Sequence, residues 1–195
     1  RMPMLIVDEP YREIVYDGLV VPPVLDAYPE CVVVSSYSKS LSLPGERIGY
    51  LALSPRCREH GILMEGLAMS NRVMGFVNAP ALMQRVVAEL TMCVADASGY
   101  KRRRDMLCAI LKDVGIEFAK PEGAFYLFCK VPDGGAEKIG ETRDVTFAMH
   151  LKEERILAVP GVGFGCPGWF RLSYCVSEET IRNSARGFLE AAGTW

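Results

Sequence analysis

The stretch Cys31-Val32-Val33-Val34-Ser35-Ser36-Tyr37-Ser38-Lys39-Ser40, continued as Leu41-Ser42-Leu43-Pro44-Gly45-Glu46-Arg47-Ile48-Gly49-Tyr50, decides how the rest of the chain is read. An apolar run leads in and a second one, Ile48 to Leu53, leads out. Short continuous apolar runs bounded by turn residues read as strands buried on both faces, the kind from which parallel sheets of α/β proteins are built. One lysine therefore stands among hydroxyl residues at the end of a core strand, with an arginine eight positions on. Ligands of open α/β sheets bind at the carboxyl ends of such strands.

Upstream, Met4 to Val7 is another continuous apolar run, followed by Asp8-Glu9-Pro10-Tyr11. It reads as a strand buried on both faces, which puts Asp8 and Tyr11 just past a strand end; Asp8-Glu9-Pro10 also reads as a plain turn. Ile14 to Val24 is irregular, broken by Gly18 and Pro22-Pro23. Arg47 to Leu53 is the third strand, and Ser54-Pro55 matches the preferred opening of a helix. Helical spacing follows over Arg56–Arg72, with Ile62, Leu63, Leu67 and Met74 inward, and over Pro80–Val94, with Leu82, Met83, Val86, Val87, Leu90 and Val94 inward. Met64, Met69, Met74 and Met83 read as core filler. A helix over Ser98–Val114 stops at Gly115, its apolar face Met106, Leu107, Ile110 and Leu111; its Lys101-Arg102-Arg103-Arg104 cluster reads as a solvated face.

Beyond that helix the character changes. Ile116–Ala119 and Phe125–Val131 read as strands around a Pro121-Glu122-Gly123 turn, Pro132–Thr142 as a polar loop, and Val145–Glu154 as a helix. Ile156–Val159 and Trp169–Tyr174 read as strands, and Ser177 caps a last helix whose inward positions are Ile181, Ala185, Phe188 and Leu189. Without steady βαβ alternation this half reads as a small α+β domain. The expected division is residues 1–98, part of a mostly parallel-sheet α/β domain, and 99–195, the small domain. Gly161-Val162-Gly163-Phe164-Gly165 is a loop and not a dinucleotide fingerprint, because Cys166 stands where the third glycine belongs.

Composition bounds the function. The chain has 195 residues, half of them hydrophobic and 24% charged, as in an ordinary globular protein, and a net charge of -2. That charge gives no electrostatic reason for a nucleic-acid or membrane partner. Seven cysteines without a C-x-x-C suggest neither a disulfide framework nor a metal site, and fit a reducing, cytoplasmic compartment. Because a core strand follows almost at once on Arg1, the chain is expected to be the C-terminal part of a longer protein.

A lysine amine is ordinarily a cation and a poor nucleophile. Burial and nearby positive charge favour its neutral form, so Lys39 after an apolar strand, with Arg47 nearby, suits a Schiff-base former; the plain alternative is a surface lysine in a serine-rich loop. Ser36 and Ser38 offer hydroxyls, Gly45 a place for the backbone to turn, and Arg47 a planar fork for a phosphate. Asp8 could pair with a pyridine nitrogen and Tyr11 with a ring oxygen. This is the equipment that pyridoxal 5'-phosphate requires.

Taken together, Asp8-Glu9-Pro10-Tyr11, Ser36-Tyr37-Ser38-Lys39 and Gly45-Glu46-Arg47-Ile48-Gly49-Tyr50 resemble the class I/II aminotransferases of PLP fold type I, the aspartate aminotransferase superfamily. Pro121-Glu122-Gly123-Ala124-Phe125-Tyr126, Val159-Pro160-Gly161 with Phe164-Gly165, and Phe170-Arg171-Leu172-Ser173-Tyr174 extend the resemblance in the family's order. It implies the C-terminal part of the cofactor-binding large domain followed by the small domain. It also implies a pyridoxal-phosphate-dependent transfer of an amino group between an amino acid and a 2-oxo acid, and a homodimer for the full-length enzyme. Lys39, Asp8 and Tyr11 would be catalytic; Asp8, Tyr11, Ser36, Ser38, Lys39 and Arg47 would hold the cofactor; Arg171 would bind the substrate carboxylate. From residue chemistry alone Arg171 is a strand arginine without an assigned partner. His60 and His150 match no catalytic position. The alternatives are a β-lyase of the same fold, and a truncated, non-catalytic fragment that folds and self-associates.

Overall fold

The computed structural model describes residues 2–90, 93, 96–135 and 140–195. The chain divides into two compact units, Arg1–Asp96 and Ala97–Trp195.

The first unit is built on three strands, β1 (Leu5–Asp8), β2 (Cys31–Ser36) and β3 (Gly49–Leu53), in the order β1-β2-β3. Cys31, Val32 and Val33 are buried, as the apolar run requires of a central strand. The sheet is mixed. β1 and β2 are parallel, Leu5 opposite Cys31 and Asp8 opposite Val34, but β3 runs antiparallel to β2, with Ser36 opposite Gly49 and Val32 opposite Leu53. The expectation of three strands in a mostly parallel sheet is corrected here by the connection. Residues 37–48 are spent on one helical turn, α2 (Tyr37–Ser40), and a 3-10 turn, Pro44–Glu46, with no crossover helix to carry the chain back for a parallel return.

β1 departs from its reading as well. Leu5 is 40% and Ile6 70% exposed, because β1 is an outer strand bonded to one neighbour among the described residues. The irregular segment after it supplies core instead: Ile14 and Tyr16 are buried. Arg12 staples that segment down, its guanidinium donating to Glu9 Oε2 at 3.0 Å and to the Pro22 carbonyl at 3.2 Å.

The helix expected from Ser54-Pro55 begins later, as α3 (His60–Val73). Ser54 is spent on a turn, its Oγ accepting the Arg56 amide at 3.3 Å, so it does not cap the helix. Leu63 and Leu67 pack against Val32, Leu53 and Cys57. Ile62 and Met74 are exposed, as are Met64 and Met69, so these methionines are not core filler in this chain. Beside this packing Glu30 accepts a hydrogen bond from the Cys57 thiol and pairs with Arg58, and both hold its carboxyl below the usual range. Of the inward face expected over Pro80–Val94, α4 (Ala81–Glu89) buries Val87 alone; Leu82 and Val86 are exposed, and Val94 lies outside the described residues. Val24–Ala27 forms the short helix α1.

The second unit is a four-stranded sheet, β4 (Phe118–Ala119), β5 (Tyr126–Lys130), β6 (Val159–Pro160) and β7 (Trp169–Ser173), in the order β4-β5-β7-β6 and antiparallel throughout. Its helices are α5 (Ser98–Asp113), α6 (Arg143–Glu153) and α7 (Glu178–Thr194), and α5 packs on α7. Alternation sorts the sheet cleanly: Leu127, Cys129, Phe170 and Leu172 are buried on one face, and Tyr126, Phe128 and Arg171 lie on the other. Part of the expected loop, residues 136–139, lies outside the described residues.

Three readings of this half are corrected. The strand expected over Ile156–Val159 shrinks to Val159–Pro160, since Ile156 turns inward to the core. Leu189 is exposed, while Ala191 takes the buried place at the end of α7. Arg104 is not on a solvated face. It is fully buried, donating to the Pro121 carbonyl at 3.0 Å and pairing with Asp105 at 2.8 Å, and so ties α5 to the Pro121-Glu122-Gly123 turn. Ser177 caps α7 as expected, accepting the Thr180 amide at 3.0 Å.

Candidate active site

Residues expected to hold a cofactor collect where β1 and β2 end. Asp8 closes β1 in register with Val34, two residues before the end of β2. The chain then turns, tied to β2 by the Glu9 amide on the Val34 carbonyl at 3.0 Å and by Ser35 Oγ donating to the Glu9 carbonyl at 3.4 Å. Tyr11 follows in that turn, and Lys39 Nζ lies 5.7 Å from the centre of its ring. The lysine, the phenol and the carboxylate thus belong to the end of the sheet where β1 and β2 finish.

Ser36 ends β2 and caps α2, accepting the Ser38 amide at 3.0 Å, and its Oγ lies 2.7 Å from Ser38 Oγ. The Tyr37 amide donates to the Ile48 carbonyl at 3.2 Å, closing the loop so that Arg47 returns to the same end of the sheet. The tight turn is not made by Gly45. Ser42 and Arg47 carry the left-handed backbone, at φ 56° and 50°, an unusual state for side-chain-bearing residues. Arg47 Nη1 donates to the Pro44 carbonyl at 2.7 Å and leaves further guanidinium donors for an anion.

Gly49 serves this loop by what it lacks. A Cβ there would stand 2.5 Å from the Ser35 carbonyl oxygen, so only glycine lets β3 approach the backbone that precedes the lysine turn. Gly49→Ala is expected to destabilise the chain by about 2 kcal/mol through forced backbone shifts, read as a lowered urea midpoint at unchanged m-value.

Arg171 lies in the second unit, on β7 opposite Phe128 of β5 and Val159 of β6. Its guanidinium carbon is 4.3 Å from the Tyr126 ring centre and 4.5 Å from that of Phe164. Among the described residues no hydrogen bond or ion pair engages its N–H groups. A partly buried arginine held by aromatic faces with its donors free is equipped to receive a planar anion.

Phe164 reaches Arg171 from the 3-10 turn Gly161–Phe164. That turn is anchored by Asp144 on α6, fully buried, whose carboxylate accepts the Val162 amide at 2.7 Å and the Gly168 amide at 3.2 Å. Burial alone would raise the Asp144 pKa; the two amides and the Thr142 side chain outweigh it and hold the carboxyl below its ordinary value. A Cβ on Gly161 would sit 2.2 Å from the Cys166 carbonyl oxygen, so glycine is required where the turn folds against itself. Asp144 was not marked by sequence pattern, and Phe164 entered the sequence reading only as part of the Phe164-Gly165 motif, with no role assigned to it.

Residues 3–188 match the family model for aminotransferase class I and II, and the chain belongs to that family. Over 188 residues it is 32% identical to a probable aspartate aminotransferase of Methanocaldococcus jannaschii, a match covering 93% of this chain and 48% of the relative. The aspartate aminotransferase of Thermotoga maritima is 31% identical over 180 residues, 91% of this chain and 44% of that protein. Among solved structures, an amino transferase from Eubacterium rectale superposes with a TM-score of 0.89 at 41% identity, covering 98% of this chain and 46% of that one. The Thermotoga maritima aspartate aminotransferase structure superposes with a TM-score of 0.77 at 28% identity, over 96% of this chain and 47% of that one. The fold is of the aspartate aminotransferase-like α/β kind, and the chain spans about half the length of the relatives it matches.

Proposed function

We propose that this chain carries the cofactor lysine and the substrate-carboxylate arginine of a pyridoxal-phosphate-dependent aminotransferase. The observation that carries the reading is Lys39 at the end of β2, against Tyr11, with the Ser36–Ser38 hydroxyl pair beside it, in a chain matched by the family model over residues 3–188. The donor set fits the cofactor chemically: an amine for the aldehyde, a carboxylate for the ring nitrogen, a phenol for the ring oxygen, hydroxyls and a guanidinium for the phosphate. When bound, pyridoxal phosphate acts as an electron sink that stabilises negative charge at the amino acid's α-carbon.

In this reading Lys39 Nζ would hold the cofactor through its aldehyde, and the lysine amine would take and return the substrate's α-proton. Asp8 keeps the pyridine nitrogen protonated. Tyr11 donates to the ring oxygen, and Ser36, Ser38 and Arg47 hold the phosphate. Arg171 binds the α-carboxylate of the amino acid or 2-oxo acid. The large-domain and small-domain roles of the two units, homodimerisation and a cytoplasmic location belong to the same proposal.

Isotope exchange tests it. The protein is loaded with pyridoxal phosphate and given unlabelled glutamate with labelled 2-oxoglutarate; label appearing in glutamate supports the reading. Absence of exchange, with the cofactor nevertheless reducible onto Lys39, would leave binding without transfer. A second reading, folding and self-association without catalysis, draws on exposed apolar side chains of the first unit, among them Ile6 at 70%, Ile62 at 71% and Val73 at 81%. Sedimentation showing concentration-dependent dimers together with no exchange would favour it.

A further inference from the structure

The face of the second sheet that bears Arg171 is aromatic beyond what anion binding needs. Trp169 stacks on Phe128 with ring centres 5.7 Å apart and planes 5° from parallel, and Phe128 meets the edge of Phe164 at 6.2 Å. Phe164 and Tyr126 then both lie against the Arg171 guanidinium. Tyr126 stands opposite Ser173, so it reaches Arg171 along the diagonal of the β5–β7 pair.

We propose that Tyr126 and Phe164 are positioning residues for Arg171: they cover the flat faces of its guanidinium and restrict carboxylate binding to its in-plane edge. The proposal rests on the reading of Arg171 as the carboxylate site. A guanidinium attracts ring faces electrostatically and stacks on them, while its N–H donors all lie in the plane between. Carboxylate geometry matches that edge in the two-bond, fork-to-fork arrangement. An arginine on an open sheet face would lose rotamer freedom on meeting a ligand; one already held by two rings loses less. The row Trp169–Phe128–Phe164 backs one ring, and the Asp144-anchored turn fixes where that ring stands.

The test uses the 195-residue chain and two-dimensional NMR of arginine side chains, with the Arg171 Nε–H signal identified as the one lost in Arg171→Lys. In the free protein this signal is expected upfield from ring currents. Propanoate is expected to move it, and the neutral propanamide to leave it in place. Phe164→Leu should shift the free signal downfield and weaken propanoate binding about three- to tenfold, the loss of one ring–cation contact. Phe164→Tyr, which keeps a ring, should restore both. Tyr126→Leu should act in the same direction as Phe164→Leu. If Phe164→Leu and Tyr126→Leu leave signal and affinity unchanged, the positioning role is overturned. If Arg171→Lys binds propanoate as the unaltered chain does, the carboxylate reading itself fails.

Discussion

Replacing Lys39 with alanine abolishes covalent capture of pyridoxal phosphate. The unaltered chain, incubated with the cofactor and reduced with borohydride, gains one adduct on the peptide that contains Lys39; Lys39→Ala gains none there. Tyr11 and Ser38 remain in place in the variant, so reversible binding weakens without vanishing. In the isotope exchange the loss is larger, about 10²–10⁴-fold, because a positioned proton carrier is removed along with the attachment point. Equal adduct formation in the unaltered and Lys39→Ala chains would show that the aldehyde reacts with surface amines and that Lys39 has no special place.

Asp144→Ala carries the largest expected stability cost. Its carboxylate is the acceptor for two amides of the turn that presents Phe164. Removing it leaves both donors without their partner in a buried position, at about 1–3 kcal/mol each, and a total near 4 kcal/mol is expected. Asp144→Asn keeps one acceptor and should lose about half as much. The pH dependence follows in sign: the folded-state pKa lies below the unfolded one, so the contribution is complete above the ordinary carboxylate pKa of about 3.9 and fades as pH falls through the folded value. Urea titrations from neutral to acidic pH should show this loss in the unaltered chain and a flatter acid limb in Asp144→Asn. Unchanged acid limbs would remove Asp144 from the ledger.

The turn that carries Lys39 was legible because it is local. Ser36, Ser38 and Lys39 stand within four residues at the end of one strand, and the serine that caps the helical turn after it lies in the same window. The strands were legible too, since continuous apolar runs announce them, and Ser177 announced α7. What escaped depends on which face meets what. Ile6, Ile62 and Leu82 carry strand or helix periodicity and are exposed, because periodicity reports an element's apolar side without reporting whether anything covers it. The direction of β3 was set by a connection whose twelve residues make tight turns, a matter of backbone geometry that hydropathy does not encode. Arg104 misled for another reason: in a run of four basic residues only its position on the helix distinguishes the buried one. The setting of Arg171, and with it Tyr126, Phe164 and Asp144, came from register and a distant helix, which no single window of sequence contains.

Trp195 ties the segment around Pro132 to α6. Its indole donates to the Pro132 carbonyl at 3.1 Å, its own carbonyl accepts the Gly135 amide at 3.1 Å, and its ring meets Phe147 edge-on at 4.9 Å. The segment around Pro132 is thus seated by a residue 63 positions further along the chain. Trp195→Ala strips a covering ring from Phe147, so this variant is expected to be more readily cleaved by protease near Pro132 than the unaltered chain.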